Sequence, residues 1–129
     1  MRQTRVLVAD DNESFGTVLR RFVAVHPDML VVGRAQSGQE AVAMTDALSP
    51  DVVLMDLYMA GMDGFEATRV LSATHPEVKV VAITAHRSDE TERRSLEAGA
   101  RAFLQKTDAD THLIDLIRGL ADSDADHHC

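Results

Sequence analysis

Five short apolar runs, held apart by longer stretches of a different rhythm, leave this chain few ways to fold. The runs occupy residues 5–9 (RVLVA), 30–35 (LVVGRA), 52–56 (VVLMD), 79–84 (KVVAIT) and 102–105 (AFLQ). Such runs, bounded by turn signals, read as strands buried on both faces, the kind found in parallel sheets. The stretches between them carry a helical period. Phe15, Val18, Leu19, Phe22 and Val23 recur at i, i+3, i+4, i+7 and i+8, and His26-Pro27 stops that helix. Ser37 with Glu40 forms a capping box that opens a helix to about Leu48, where Ser49-Pro50 closes it. Asp63 with Glu66 repeats the device, with Ala67, Val70, Leu71 and Thr74 as the buried stripe until His75-Pro76.

The stretch 88–98 (SDETERRSLEA) is different, because Leu96 is its only large apolar residue. Helices in proteins depend mostly on packing an apolar face. This one is therefore expected to be the least firmly anchored, with weak support from a Glu90–Arg94 pair and Gly99 as its C-cap. Asp108 is expected to cap a last helix that turns Leu113, Leu116, Ile117 and Leu120 inward, and the acidic stretch beyond Ala121 to be a disordered tail. Five strands alternating with five helices predict an α/β domain built on a parallel sheet with both faces covered. One such arrangement is the flavodoxin-like doubly wound sheet, (βα)5 with strand order 2-1-3-4-5.

Bulk properties narrow the partners. The 129 residues suit one domain. A net charge of −8 argues against a general nucleic-acid or anionic-membrane surface. No apolar run nears the ~20 residues of a membrane span, and the start MRQTRVLVADD lacks a signal-peptide pattern. The single cysteine, Cys129, excludes an internal disulfide framework and fits a reducing compartment. The expectation is a cytoplasmic, acidic domain without membrane contact.

The chemistry gathers at the strand ends. Asp10 and Asp11 follow the first strand, Asp56 ends the third, Thr84 ends the fourth and Lys106 follows the fifth. Each has an ordinary reading by itself: acids opening a loop, a turn-forming Asp, a strand threonine, a surface lysine. In the 2-1-3-4-5 order, however, these four strands are contiguous, so the groups converge on one edge. Three carboxylates gathered there repel one another and invite a hard divalent cation such as Mg²⁺, which takes oxygen ligands and keeps several waters. A hydroxyl and an ammonium facing such a site suit a doubly charged phosphoryl group.

VLVADDN at 6–12, VVLMDLYMAGMDGFEA at 52–67, VVAITAH at 80–86 and AGARAFLQK at 98–106 together resemble the receiver domain of bacterial two-component response regulators. The resemblance covers residues 4–120, so the domain is expected over 1–121, with 122–129 as the tail. Some fragments are similar to receivers that precede helix-turn-helix output domains. The resemblance implies that Asp56 is the phosphoacceptor for a sensor histidine kinase, and that Mg²⁺ is held by Asp10, Asp11, Asp56 and the backbone carbonyl of Tyr58. It implies that Thr84 and Lys106 bind phosphoryl oxygens, that Thr84 and Phe103 form the switch pair, and that Tyr58 and His86 tune the lifetime of the aspartyl phosphate. It also implies a signalling phosphoacceptor rather than an enzyme. Phosphorylation would then alter the 85–121 surface for a partner or a homodimer, and this chain itself would not bind nucleic acid.

Departures from the family pattern stand out at Ala60 and Thr107, which replace usual prolines, and Tyr58 and His86 fill the two rate-tuning positions; Phe103, where the family has its switch aromatic, lacks a hydroxyl. A non-proline cis bond costs about 2.5–4 kcal/mol, which favours a trans Lys106–Thr107 bond. A phosphatase with an aspartate nucleophile would need a second acid where Tyr58 stands, and a flavin binder would not place DDNES in its phosphate loop. The remaining alternative is a pseudo-receiver, an interaction module that is not phosphorylated.

Overall fold

A computed structural model of the chain describes residues 3–127 except Ala60, with only the backbone described for 123–127. The chain alternates strictly: β1 (Thr4–Ala9), α1 (Glu13–Ala24), β2 (Met29–Ala35), α2 (Gly38–Leu48), β3 (Val52–Asp56), α3 (Gly64–Thr74), β4 (Lys79–Thr84), α4 (Asp89–Ala98) and β5 (Ala102–Gln105). A 3₁₀ turn at Lys106–Asp108 then leads into α5 (Ala109–His127). The five strands are parallel in the order β2-β1-β3-β4-β5, the flavodoxin-like arrangement expected from the sequence.

Period-2 alternation divides the core between the two faces of the sheet. Val6, Val8, Leu54 and Ile83 pack with Leu19, Val23, Leu113 and Ile117 of α1 and α5. Leu7, Ala9, Val53 and Met55 pack with Ala41, Ala67 and Leu71 of α2 and α3. A smaller cluster of Leu57, Phe65, Ala82 and Ala100, with Phe103 against it, continues this side toward α4.

Four helices start on side-chain caps: Asn12, Ser37, Asp63 and Ser88 accept from the N–H groups of Phe15, Glu40, Glu66 and Thr91. Each satisfies one of the first-turn donors that lacks a helical partner.

Several expectations need correction. Val18 is 63% exposed, because only Leu19 and Val23 of its stripe face the sheet squarely while Phe15 and Phe22 are half-buried. On α3 the buried stripe is Phe65, Ala67, Thr68 and Leu71, with Val70 half-buried and Thr74 exposed. A helix period of 3.6 lets Phe65 and Thr68 share the inner face with Leu71. Leu96 is 45% exposed and the buried face of α4 is Thr91, Ser95 and Ala98, so no large apolar side chain anchors this helix, in line with its expected weak anchoring. The i, i+4 ion pair of α4 is Arg93–Glu97, whereas Arg94 lies over the Phe65 ring. Asp108 belongs to the 3₁₀ turn and accepts from the Thr111 hydroxyl through its carbonyl, and Ile114 joins the expected inward residues of α5. The backbone of α5 is helical to His127, which takes it into the stretch 122–129 expected as a tail. His128 and Cys129 lie outside the described residues, as does the proline replacement at Ala60.

Candidate functional site

Register puts the two buried acids side by side. Ala9 pairs with Met55, so Asp10 and Asp56 each stand one residue beyond a paired position, on neighbouring strand ends. Both are nearly dry, at 2% and 5% exposure. Burying two like charges together is costly unless a cation joins them. Lys106 supplies it: Nζ lies 3.1 Å from Asp10 Oδ2 and 3.5 Å from Asp56 Oδ2. To get there from the end of β5, the side chain crosses the ends of β4 and β3, and its ammonium rests 4.4 Å from the ring centroid of Phe15 on α1. Among the described residues no peptide bond is cis, so Lys106 makes these contacts with a trans Lys106–Thr107 bond.

The remaining carboxylate oxygens take backbone donors. Asp10 Oδ1 accepts from Asn12 N–H at 2.8 Å, and Asp56 Oδ1 accepts from Tyr58 N–H at 3.2 Å. Burial, and then the neighbouring Asp10 charge, push the Asp56 carboxyl up from 3.8 to about 6, against the opposite pull of Lys106 and the Tyr58 N–H. Asp11 stands exposed at the mouth. One oxygen from each of Asp10, Asp11 and Asp56 lies within 4.8 Å of the others, a hard-oxygen donor set of the kind a divalent cation such as Mg²⁺ takes.

Thr84, fully buried at the end of β4, borders this pocket through its strand: Leu57 N–H, just past Asp56, bonds Ile83 O at 3.0 Å. Its hydroxyl donates to His86 O at 3.3 Å and accepts from His86 N–H at 3.4 Å. The His86 side chain is exposed. Phe103 is half-buried, with the Arg87 guanidinium 5.6 Å from its ring centroid. Tyr58 is 55% exposed, and its hydroxyl meets Thr91 rather than the acid cluster.

Two glycines make room for this geometry. A Cβ on Gly64 would sit 2.2 Å from Asp56 O, so only glycine lets α3 start against the end of β3. A Cβ on Gly16 would sit 2.7 Å from Arg34 Nε. Arg34 passes there to donate from Nη2 to the Asp10 carbonyl at 2.9 Å. Arg34 and Phe15 support the site and escaped the sequence reading. The one available signal was an arginine inside the otherwise apolar run LVVGRA.

Fold and site together define a flavodoxin-like α/β domain with an acid cluster and a lysine at the carboxyl edge of its sheet. The model of the response regulator receiver domain matches residues 6–118, and the chain belongs to that family: it is a receiver domain of a two-component response regulator. It is 42% identical over 114 residues to the response regulator GacA of Pseudomonas viridiflava, covering 88% of this chain and 53% of that protein. It is 40% identical over 114 residues to the transcriptional regulatory protein LiaR of Bacillus subtilis, covering 88% and 54%. The response regulator domain of Thermotoga maritima CheB superposes with a TM-score of 0.87 at 30% identity, covering 94% of this chain and 98% of that one. The chain thus spans about half the length of the curated relatives it matches. Among the described residues no helix is long and apolar enough to cross a membrane.

Proposed function

We propose that Asp56 is the phosphoacceptor of a Mg²⁺-dependent switch, charged by a sensor histidine kinase or a small phosphodonor. The observation that carries this reading is the buried Asp10–Asp56 pair held by Lys106, with Asp11 completing a three-carboxylate cluster. An Asp56 carboxylate oxygen attacks phosphorus. The P–N bond of a phosphohistidine breaks as the O–P bond forms, and the electron pair leaves with the imidazole. Asp10, Asp11 and Asp56 would hold the cation, with the Tyr58 carbonyl as a further ligand. When bound, the cation neutralises phosphoryl oxygens. Lys106 is already in place to neutralise another, and Thr84 donates its hydroxyl to a phosphoryl oxygen after leaving His86 O. His86 and Tyr58, at the rim, remain the residues that set the lifetime of the acyl phosphate.

An apolar groove supports a protein phosphodonor. Phe15, Val18, Leu19 and Phe22 line it with Lys106, Thr107, Ala109 and Asp110. Its volume is about 260 Å³, and Val18 is among the most exposed apolar side chains described. A largely apolar lining that includes Lys106, itself 3.5 Å from Asp56 Oδ2, suits a kinase helix presenting its histidine. The chemistry is confined to the domain's own side chain, so we read it as a signalling phosphoacceptor and not an enzyme with a separate substrate. The net charge of −8 argues against DNA contact by this domain. No observation favours a pseudo-receiver, since the acid, hydroxyl and amine groups are all present.

The test is incubation with acetyl phosphate, with and without Mg²⁺, followed by intact mass of wild type and Asp56→Asn. One added phosphoryl mass, dependent on Mg²⁺ and absent from the variant, is expected. No adduct from acetyl phosphate or a kinase would return the pseudo-receiver. An adduct on Asp56→Asn would move the acceptor elsewhere.

A further inference from the structure

Tyr58 touches both the acceptor and α4. Its backbone N–H donates to Asp56 Oδ1 at 3.2 Å, and its hydroxyl lies 3.2 Å from Thr91 Oγ1 in the first turn of α4. Thr91 is 7% exposed and belongs to the cap of that helix. Its N–H donates to Ser88 Oγ at 3.1 Å, and the Ser88 hydroxyl returns to Thr91 Oγ1 at 2.8 Å. The Tyr58 ring stands edge-on to Phe65 at 5.7 Å, and Arg94 of α4 covers that same Phe65 ring at 4.1 Å. The β3–α3 loop therefore reaches α4 through one hydroxyl contact and one shared aromatic ring.

The other two candidates for such a link do not reach α4 by hydrogen bonds. Phe103 has no hydroxyl, and the Thr84 hydroxyl is engaged by the backbone of His86. Tyr58 is more than half exposed as a residue and its bond to Thr91 is only part-buried, so water competes for it. A contact of that strength is reversible on the scale of a modification at Asp56.

We propose that Tyr58 is a positioning residue that couples the bonding state of Asp56 to the capped first turn of α4 through its hydroxyl contact with Thr91. This rests on the reading of Asp56 as the acceptor. Forming an acyl phosphate removes the carboxylate charge that the Tyr58 N–H now faces, and so weakens the bond that fixes the backbone carrying the phenol. The contact with Thr91 changes, and the first turn of α4 changes stability with it. Coupling of this kind is reciprocal: breaking the Tyr58–Thr91 contact must alter the affinity of the Asp56 site for beryllofluoride by the same factor.

The chain offers its own probe, because Tyr58 is the only tyrosine and there is no tryptophan. Intact mass, tyrosine emission and amide exchange over 88–98 are measured on the same samples, with Mg²⁺ and with or without acetyl phosphate. The proteins are wild type, Thr91→Val, Thr91→Ser, Tyr58→Phe and the Tyr58→Phe/Thr91→Val pair. In wild type, the adduct is expected to shift Tyr58 emission and to change exchange in the first turn of α4 about fivefold, as for one hydrogen bond altered. Thr91→Val is expected to form the adduct yet lose that exchange response, and Thr91→Ser to restore it. The double variant should respond no less than either single one. An adduct on wild type with unchanged α4 exchange, or a full response in Thr91→Val, overturns the coupling and leaves the acceptor standing. Absence of any adduct on wild type removes both.

Discussion

Asp56 carries opposing demands at the level of one side chain. It must be charged to attack, yet burial and Asp10 raise its carboxyl to about 6, so the folded state binds its proton more tightly than the unfolded chain does. Its contribution to stability is therefore full below about 4 and is lost as pH rises through about 6. Asp56→Asn removes the charge while Asp10 still holds Lys106. Without Mg²⁺, the variant should be more stable than wild type by roughly 1–2 kcal/mol at pH 8, with the gap closing by pH 5, as read from urea unfolding at both pH values. Lys106→Met should do the opposite at pH 8. It leaves two buried carboxylates unpaired and should cost about 2–4 kcal/mol, a loss that saturating Mg²⁺ reduces in the same titration.

At the level of elements, most of the fold could be read from the chain, and the misses share a cause. Apolar runs located all five strands because strands covered on both faces are built almost wholly of apolar residues, with Arg34 on the edge strand β2 an exception. Ser37 and Asp63 marked helix starts because their caps are local chemistry. Which face a helix turns inward depends on its neighbours, and there the pattern misled at Val18 and Thr74. The acids, Thr84 and Lys106 were legible because strand ends in a known order must meet. Phe15 and Arg34 were not, since each reaches the site from a different element through a contact that no local pattern encodes. Two outcomes follow. Gly64→Ala forces a Cβ into the Asp56 carbonyl and should destabilise the domain by about 2–3 kcal/mol, measured by chemical denaturation. Helix α4, with Leu96 turned outward and small polar side chains beneath it, should exchange its amides fastest among the four helices α1–α4.

Across the whole molecule, one rim of the sheet is chemical and the other is closed. At the far rim Arg5 N–H donates to Asp51 Oδ2 at 2.8 Å, and Arg5 Nη2 reaches the Leu48 carbonyl that ends α2. Ligands that bind the native pocket alone stabilise the entire domain by mass action. Mg²⁺ should thus raise the thermal midpoint by several degrees at pH 8 and very little at pH 5, where the Asp56 proton opposes it; differential scanning calorimetry reads both. The ammonium that Phe15 supports has a last consequence. Lys106 is a tethered cation beside the two buried acids, present at a high effective concentration because the backbone delivers it. Its single charge offsets only part of the charge of two carboxylates, so the pair keeps a net negative balance into which an incoming divalent cation or phosphodonor would have to fit.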